Sequence, residues 1–327
     1  MLFDPVYKIE YIQSTSFVIT LRVVHLHSNI MSFQLKSKRG INISLRRLLT
    51  LTCAAFCISG LYVCFRVPFD DMMETVTKTN IIPKTELVTS FKTQAQKCER
   101  VLEFEKGDLL SQSKEDETLL VYFNGLCNGS YIEMGALDGT TFSNSWVFNK
   151  KLNWKGVLVE LTPSNFYKAK KRRPNELAVV NAAVCEKKQK IHYYERGAVS
   201  GVYEFASPSF KKRRWKAGIS LDSPQVKEID CAPLMDILAE NHVETNYFDF
   251  FSLDVEGAEF EVLKSIDFDK LGFGIIFVEA DEHDPAKNEK VRLILKSNGY
   301  TYFSNHQRSD WFFNDQFLNI YKELWYP

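Results

Sequence analysis

Four short apolar runs, each with an acid at or near its end, limit this chain more than any other feature. They are YIEM at 131–134, GVLVEL at 156–161, FDFFSLDV at 248–255 and GIIFVEA at 274–280. Their length and their β-branched and aromatic content fit strands, and near-continuous apolarity fits strands buried on both faces. LAVVNAAV at 177–184 is a further strand, and YTYFSN with DWFFND forms a closing antiparallel pair. Helices are expected between them: over 140–150, from the TPSN stretch through Pro163 and Ser164, and over 230–241, 258–265 and 285–297, the last closed by Asn298-Gly299. Such alternation predicts an α/β fold with a mostly parallel sheet, in which ligands bind beyond the carboxyl ends of the strands.

The turn after the first of these strands carries most of the chemistry. YIEMGALDGTTFSNS, 131–145, passes from strand through two glycines into small polar residues. Glycines let a ligand approach the backbone, and a following helix offers free N–H groups. Glu160 ends the next strand, 21 residues after Gly139, where a carboxylate accepts both hydroxyls of a ribose. Gly135 and Gly139 lack the middle glycine of a dinucleotide fingerprint, and Glu133 and Asp138 flank them. Negative charge repels a diphosphate and suits a cation, which favours S-adenosylmethionine over NAD. Glu133, Glu160, Asp254, Glu256 and Glu279 all fall at strand ends and are expected to converge. Singly, each is better explained as an exposed turn acid or helix cap, but five acids at successive strand ends are harder to attribute to chance.

Methyl transfer to a hydroxyl needs a base within hydrogen-bond reach. Asp254 and Glu256 are the candidates, with His283 of EADEHD as a third. Glu279, Asp281 and His283 lack a diagnostic metal spacing, and no metal is expected. Two basic runs, KAKKRR at 168–173 and KKRRW at 211–215, read as solvated surface. The second lies in a long insertion that is placed to cover a substrate site.

Leu48–Phe65 carries no charge over 18 residues, close to the roughly 20 that span a bilayer. Lys36, Lys38, Arg39, Arg46 and Arg47 precede it, and Asp70, Asp71 and Glu74 follow. The positive-inside rule then predicts an uncleaved transmembrane signal anchor, with residues 1–47 cytosolic. Residues 66–97 read as a stem and 98–327 as a luminal domain of the endoplasmic reticulum or Golgi. Residues 1–30 alternate polar and apolar positions with no evident partner segment. Cys98, Cys127, Cys185 and Cys231 follow the apolar run, and in an oxidising lumen they allow two disulfides in any of three pairings. Asn128-Gly129-Ser130 is a glycosylation sequon. The formal net charge of +0 gives no field that points to nucleic acid.

YIEMGALDG, GVLVELTPSNF, VVNAAV, FFSLDVEGAEFEVLKSI and IIFVEA, in that order, resemble the FkbM-type methyltransferase family over about residues 120–315. The DVEGAE block is the most specific part. The resemblance implies a class I, Rossmann-like methyltransferase fold: a seven-stranded, mostly parallel sheet whose last strand is antiparallel. It also implies S-adenosylmethionine as donor and O-methylation of a hydroxyl, here on a glycan or other luminal acceptor. Glu133, Gly135, Asp138, Gly139, Glu160 and Asn181 are then cofactor residues, and Asp254 and Glu256 sit at the catalytic edge. Many members carry Lys-Ile before the Asp of DVEG, where this chain has Ser252-Leu253. A narrower resemblance, carried by the anchor, GALDG with SNS, and YFDFFSLDVEGAE, is to the Star-like branch of membrane-anchored proteins. It implies a non-catalytic escort of membrane cargo from the endoplasmic reticulum to the Golgi.

Overall fold

The computed structural model describes residues 20–22, 32–34, 91–99, 104–280, 284–306 and 308–325. The chain divides into a unit over Met1–Val67 and a larger one over Pro68–Pro327. In the first, β1 (Thr20–Arg22) pairs antiparallel with β2 (Ser32–Gln34), so the alternating segment does have a partner. The expected anchor at 48–65 and most of the stem lie outside the described residues. Among the described residues no helix is long and apolar enough to cross a membrane.

The larger unit is built on a seven-stranded sheet. Its strands are β3 (Ser130–Met134), β4 (Lys155–Glu160), β5 (Ala178–Asn181), β10 (Tyr247–Leu253), β11 (Gly272–Glu279), β12 (Tyr300–His306) and β13 (Ser309–Asn314). The order across the sheet is β12-β13-β11-β10-β3-β4-β5. All pairings from β11 to β5 are parallel, and β13 runs antiparallel to both its neighbours. The chain therefore reverses direction of travel between β3 and β10, at the centre of the sheet, which opens a crevice at their carboxyl ends. Every residue of β10 and β11 is buried, as their unbroken apolar runs require.

Helices cover both faces. Ile132, Val157, Val159, Phe251 and Ile276 pack under α5 (Leu234–Glu240), α6 (Glu259–Lys264) and α7 (Pro285–Ser297). Tyr131, Leu158, Phe250, Ile275 and Phe313 face α1 (Glu115–Tyr122), α2 (Trp146–Lys151) and α8 (Phe317–Trp325). α3 (Pro163–Arg172) follows β4 with Pro163 in its first turn, where the missing N–H costs nothing.

Two expected helices change. The one placed over 140–150 begins only at Trp146, because Asp138 and Glu133 hold residues 140–145 in successive turns. The one placed over 230–241 begins at Leu234: Asp230 lies in β9 (Val226–Ala232), and Pro233 separates strand from helix. β9 belongs to a second sheet, ordered β6-β9-β7-β8, with β6 (Ala183–Val184), β7 (Gln189–Tyr194) and β8 (Gly201–Val202). The LAVVNAAV run thus feeds two sheets. This insertion also carries α4 (Pro208–Arg214), fixed by Trp215, which is buried among Tyr194, Ala206 and Phe210.

The four cysteines pair as Cys98–Cys127 and Cys185–Cys231, with Cα atoms 5.1 and 5.9 Å apart. The first ties residues 91–99 to the entry of β3, and the second closes the base of the insertion. In the sequon, Asn128 is half-buried, and Ser130 is buried with its N–H and hydroxyl bonded to Asp249.

Candidate functional site

A cavity opens where β3, β4, β10 and β11 end, and the insertion borders it. Glu133, Met134, Gly135, Val159, Glu160, Asp254, Glu256 and Glu279 line it from the sheet side. Gly197, Ala198, Val199, Ser200, Val202 and Arg214 line it from the insertion, and Phe142, Asn144 and Arg308 from loops. All five strand-end acids therefore meet in one place.

The turn after β3 is held by its own acids. Glu133 is buried; it accepts hydrogen bonds from Ser143 Oγ at 2.9 Å and Asn144 N at 2.8 Å, and from the Ser145 hydroxyl. Gly135 adopts φ +87°, and a Cβ there would lie 1.8 Å from the carbonyl oxygen of Asp254. Only glycine lets the two strand ends approach this closely. Leu137, also at positive φ, donates its N–H to Glu160 Oε2 at 2.9 Å.

Glu160 is buried at the end of β4. Its Oε1 accepts from Thr162 N at 2.8 Å and Thr162 Oγ1 at 2.7 Å. Burial pushes its carboxyl upward, and the bonds from Thr162 and Leu137 oppose the shift. Three protein donors take most of the roughly four lone-pair positions of a carboxylate. Glu160 thus locks the turn to the start of α3 as well as facing the cavity.

Asp138, Gly139 and Asn181 do not line the cavity. Asp138 accepts from Thr140 N at 3.0 Å and Thr141 N at 2.8 Å and pairs with Arg172. Burial alone would raise its carboxyl, but these donors hold it well below the usual range. At Gly139 a Cβ would lie 2.9 Å from Arg173 Cγ and 3.1 Å from Ala169 Cα, so this glycine serves the packing of α3. Asn181 donates to the backbone carbonyls of Glu160 and Leu161, both at 2.9 Å. His283 lies outside the described residues.

Beneath the turn lies Arg173, the last residue of the basic run at 168–173. Lys168, Lys170, Lys171 and Arg172 are exposed, as a solvated face predicts, but Arg173 is wholly buried. It donates to Gly139 O at 2.9 Å, Ser143 Oγ at 3.1 Å, Tyr131 Oη at 2.7 Å and Ser145 Oγ at 2.9 Å. Its charge is balanced by Glu176 at 2.6 Å. A single guanidinium, with five N–H donors in a fixed fork, therefore sets the shape of the whole loop.

At the cavity floor, carboxylate oxygens of Asp254, Glu256 and Glu279 lie within 4.8 Å of one another. Asp254 is open to the cavity and enclosed by protein elsewhere. Burial and the charges of Glu256 and Glu259 push its carboxyl up to about 7, against the opposing effects of the bond to Glu279 and the charge of Arg308. Glu279 is raised well above the usual range by burial and by Asp254 and Glu259. Arg308 reaches Glu279 Oε1 at 3.0 Å. Behind them, the buried pair Lys287–Glu259, at 2.7 Å, holds the DVEG turn: Glu259 Oε1 accepts from Val255 N at 3.2 Å and Gly257 N at 3.1 Å.

A family model described as the Methyltransferase FkbM domain matches residues 133–302. The chain belongs to the FkbM methyltransferase family. Among solved structures, a methyltransferase FkbM from Methylobacillus flagellatus KT is similar at 13% identity and a TM-score of 0.34. The match covers 57% of this chain and 43% of that one. An O-methyltransferase from Bacillus cereus, in complex with SAH, is similar at 11% identity and a TM-score of 0.32, covering 81% of this chain and 97% of that one. A methyltransferase from Pyrococcus furiosus is similar at 14% identity and a TM-score of 0.30, covering 65% and 87%. No curated protein matches the chain.

The methyl donor of this FkbM domain is S-adenosylmethionine, and the cavity fits its chemistry. The lining acids outnumber the lining guanidiniums of Arg214 and Arg308, which suits a ligand carrying sulfonium and ammonium charges. The oxygen Oδ1 of Asn144 is buried without a hydrogen-bond partner, an acceptor open to an ammonium group. Leu161, Ala182, Ala183 and Val184 give an apolar wall beside Glu160 for a base ring. Asn144 was within the quoted turn, but its polar neighbours have the same character and nothing in sequence singles it out. Arg308 sits in a hairpin between β12 and β13, far along the chain, and its approach to Glu279 follows only from strand pairing.

Proposed function

We propose that this FkbM domain methylates a hydroxyl oxygen of a glycan or other alcohol acceptor in the lumen of the secretory pathway. The observation that carries the reading is the carboxyl cluster of Asp254, Glu256 and Glu279 at the floor of the cofactor cavity. Gly135, Glu133, Glu160 and Asn144 would hold S-adenosylmethionine, which supplies an electrophilic methyl carbon when bound. Asp254, titrating near neutrality, takes the proton of the acceptor hydroxyl. Transfer of that methyl carbon to the hydroxyl oxygen, with its bond to sulfur broken, would leave a methyl ether and S-adenosylhomocysteine. The insertion, with Arg214, residues 197–200 and Val202 on the cavity wall, is the part that meets the acceptor.

The compartment is supported by the two disulfides, which belong to oxidising environments. The uncharged run at 48–65, with its basic upstream flank, supports a single-pass type II membrane protein. Calorimetric titration of the purified protein with S-adenosylhomocysteine tests the reading: micromolar binding, weakened by about 1–3 kcal/mol in Glu160→Ala, is expected. A folded sample that binds no cofactor points instead to a Star-like escort of membrane cargo. Ser252 favours that second reading, because it stands where many members carry lysine and is buried against Asn144.

A further inference from the structure

The carboxyl cluster has a property that a proton-accepting role does not explain. Glu279 is 5% exposed, and its Oε1 is satisfied by Arg308. Its Oε2 is buried and has no hydrogen-bond donor. The neighbouring polar groups of Asp254 and Glu256 are carboxylates, which donate nothing when ionised. Two things can satisfy that oxygen: a proton shared with Asp254, or a cation. Asp254, Glu256 and Glu279 bring three carboxyl groups together in a partly enclosed space.

We propose that Asp254, Glu256 and Glu279 bind a hard divalent cation of the calcium or manganese class. The ligand set is all oxygen, which selects hard ions over zinc or copper. Calcium–oxygen bonds of about 2.3–2.6 Å place opposite ligands roughly 5 Å apart. One carboxylate oxygen from each residue lies within 4.8 Å of the others, close to the span that a single ion bridges. The three residues hang on separate pieces of rigid backbone: the end of β10, the DVEG turn locked by Glu259, and the end of β11. The cavity side stays open, leaving positions for water or for an acceptor's hydroxyl oxygen. An ion there lowers the pKa of that hydroxyl, which deepens the methyltransferase reading on which this inference rests.

The test is manganese binding to the purified full-length protein, followed by the loss of the free Mn²⁺ electron paramagnetic resonance signal. It is run with and without S-adenosylhomocysteine, and calcium is added as competitor. The expected result is saturable binding of one ion, displaced by calcium and weakened at least about tenfold in Glu256→Gln and in Glu279→Gln. Glu256 is only half-buried, so its variant folds even if Glu279→Gln does not. Retained S-adenosylhomocysteine affinity in each variant shows an intact site. Unsaturable manganese binding, or binding equal in wild type and Glu256→Gln, overturns the proposal while cofactor binding leaves the enzyme reading standing. Absent cofactor binding is the separate result that removes the enzyme reading.

Discussion

At the scale of single residues, the site is a set of buried charges that depend on one another. Arg173→Met removes the buried cation beneath the cofactor turn and leaves Glu176 buried with its charge unmatched. The expected cost is about 3–5 kcal/mol, read by chemical denaturation. Glu176→Gln added to that variant should recover part of it, and an additive pair would show that the two do not interact. Asp254 and Glu279 act in the opposite sense. Both carboxyls are raised in the folded protein, Asp254 to about 7. A raised carboxyl stabilises the fold fully below its unfolded pKa, about 4, and that contribution is lost as pH climbs through the folded value. In chelator-treated protein, melting temperature should therefore fall between pH 5 and pH 8 more in wild type than in Glu279→Gln. Asp254 opens to the cavity, so the difference is about 1 kcal/mol, a few degrees. Parallel curves for the two proteins would remove the repulsion from the account.

Among the elements, the insertion is the least secured. β6, β7, β8 and β9 have a small core of Ala183, Cys185, Ile191, Val202 and Cys231, and Cys185–Cys231 ties its first strand to its last across 46 residues. Cys231→Ser should cost about 2–4 kcal/mol. Hydrogen exchange should rise first over residues 183–232, and equal loss of protection over β10 and β11 would contradict this ranking. The same contrast explains what could be read from sequence. The central strands were legible because both faces are buried, so that every residue of FDFFSLDV up to Leu253 must be apolar, small or paired. The strand-end acids were legible because a parallel sheet brings all carboxyl ends to one edge. The insertion's strands were not, since one face is solvated and Asp230 before Pro233 looks like a helix start. Nor was the irregular path of residues 140–145, where Thr and Ser serve as donors to Glu133 and Asp138 in a sequence that equally suits a helix cap. Which basic residue of 168–173 turns inward depends on where α3 ends, a boundary that sequence fixes poorly.

For the whole molecule, Pro68–Pro327 forms its own compact unit with cores on both faces of one sheet. Removal of residues 1–67 should leave the melting temperature within about 2 °C, and saturating S-adenosylhomocysteine at 100 times its Kd should add about 2.7 kcal/mol to either form. A large loss on truncation would show that the first unit supports the second.

The segment 91–98 gives the domain a heading. Phe91 stacks on Tyr247 and sits over Gly272, Thr93 bonds Asp249, and Cys98 is joined to Cys127 just before β3. Each of these contacts lies toward the amino ends of β3, β10 and β11, whereas the cavity lies at their carboxyl ends. The chain thus enters on the side opposite the mouth. A segment that arrives from that side leaves the opening free for molecules that drift past.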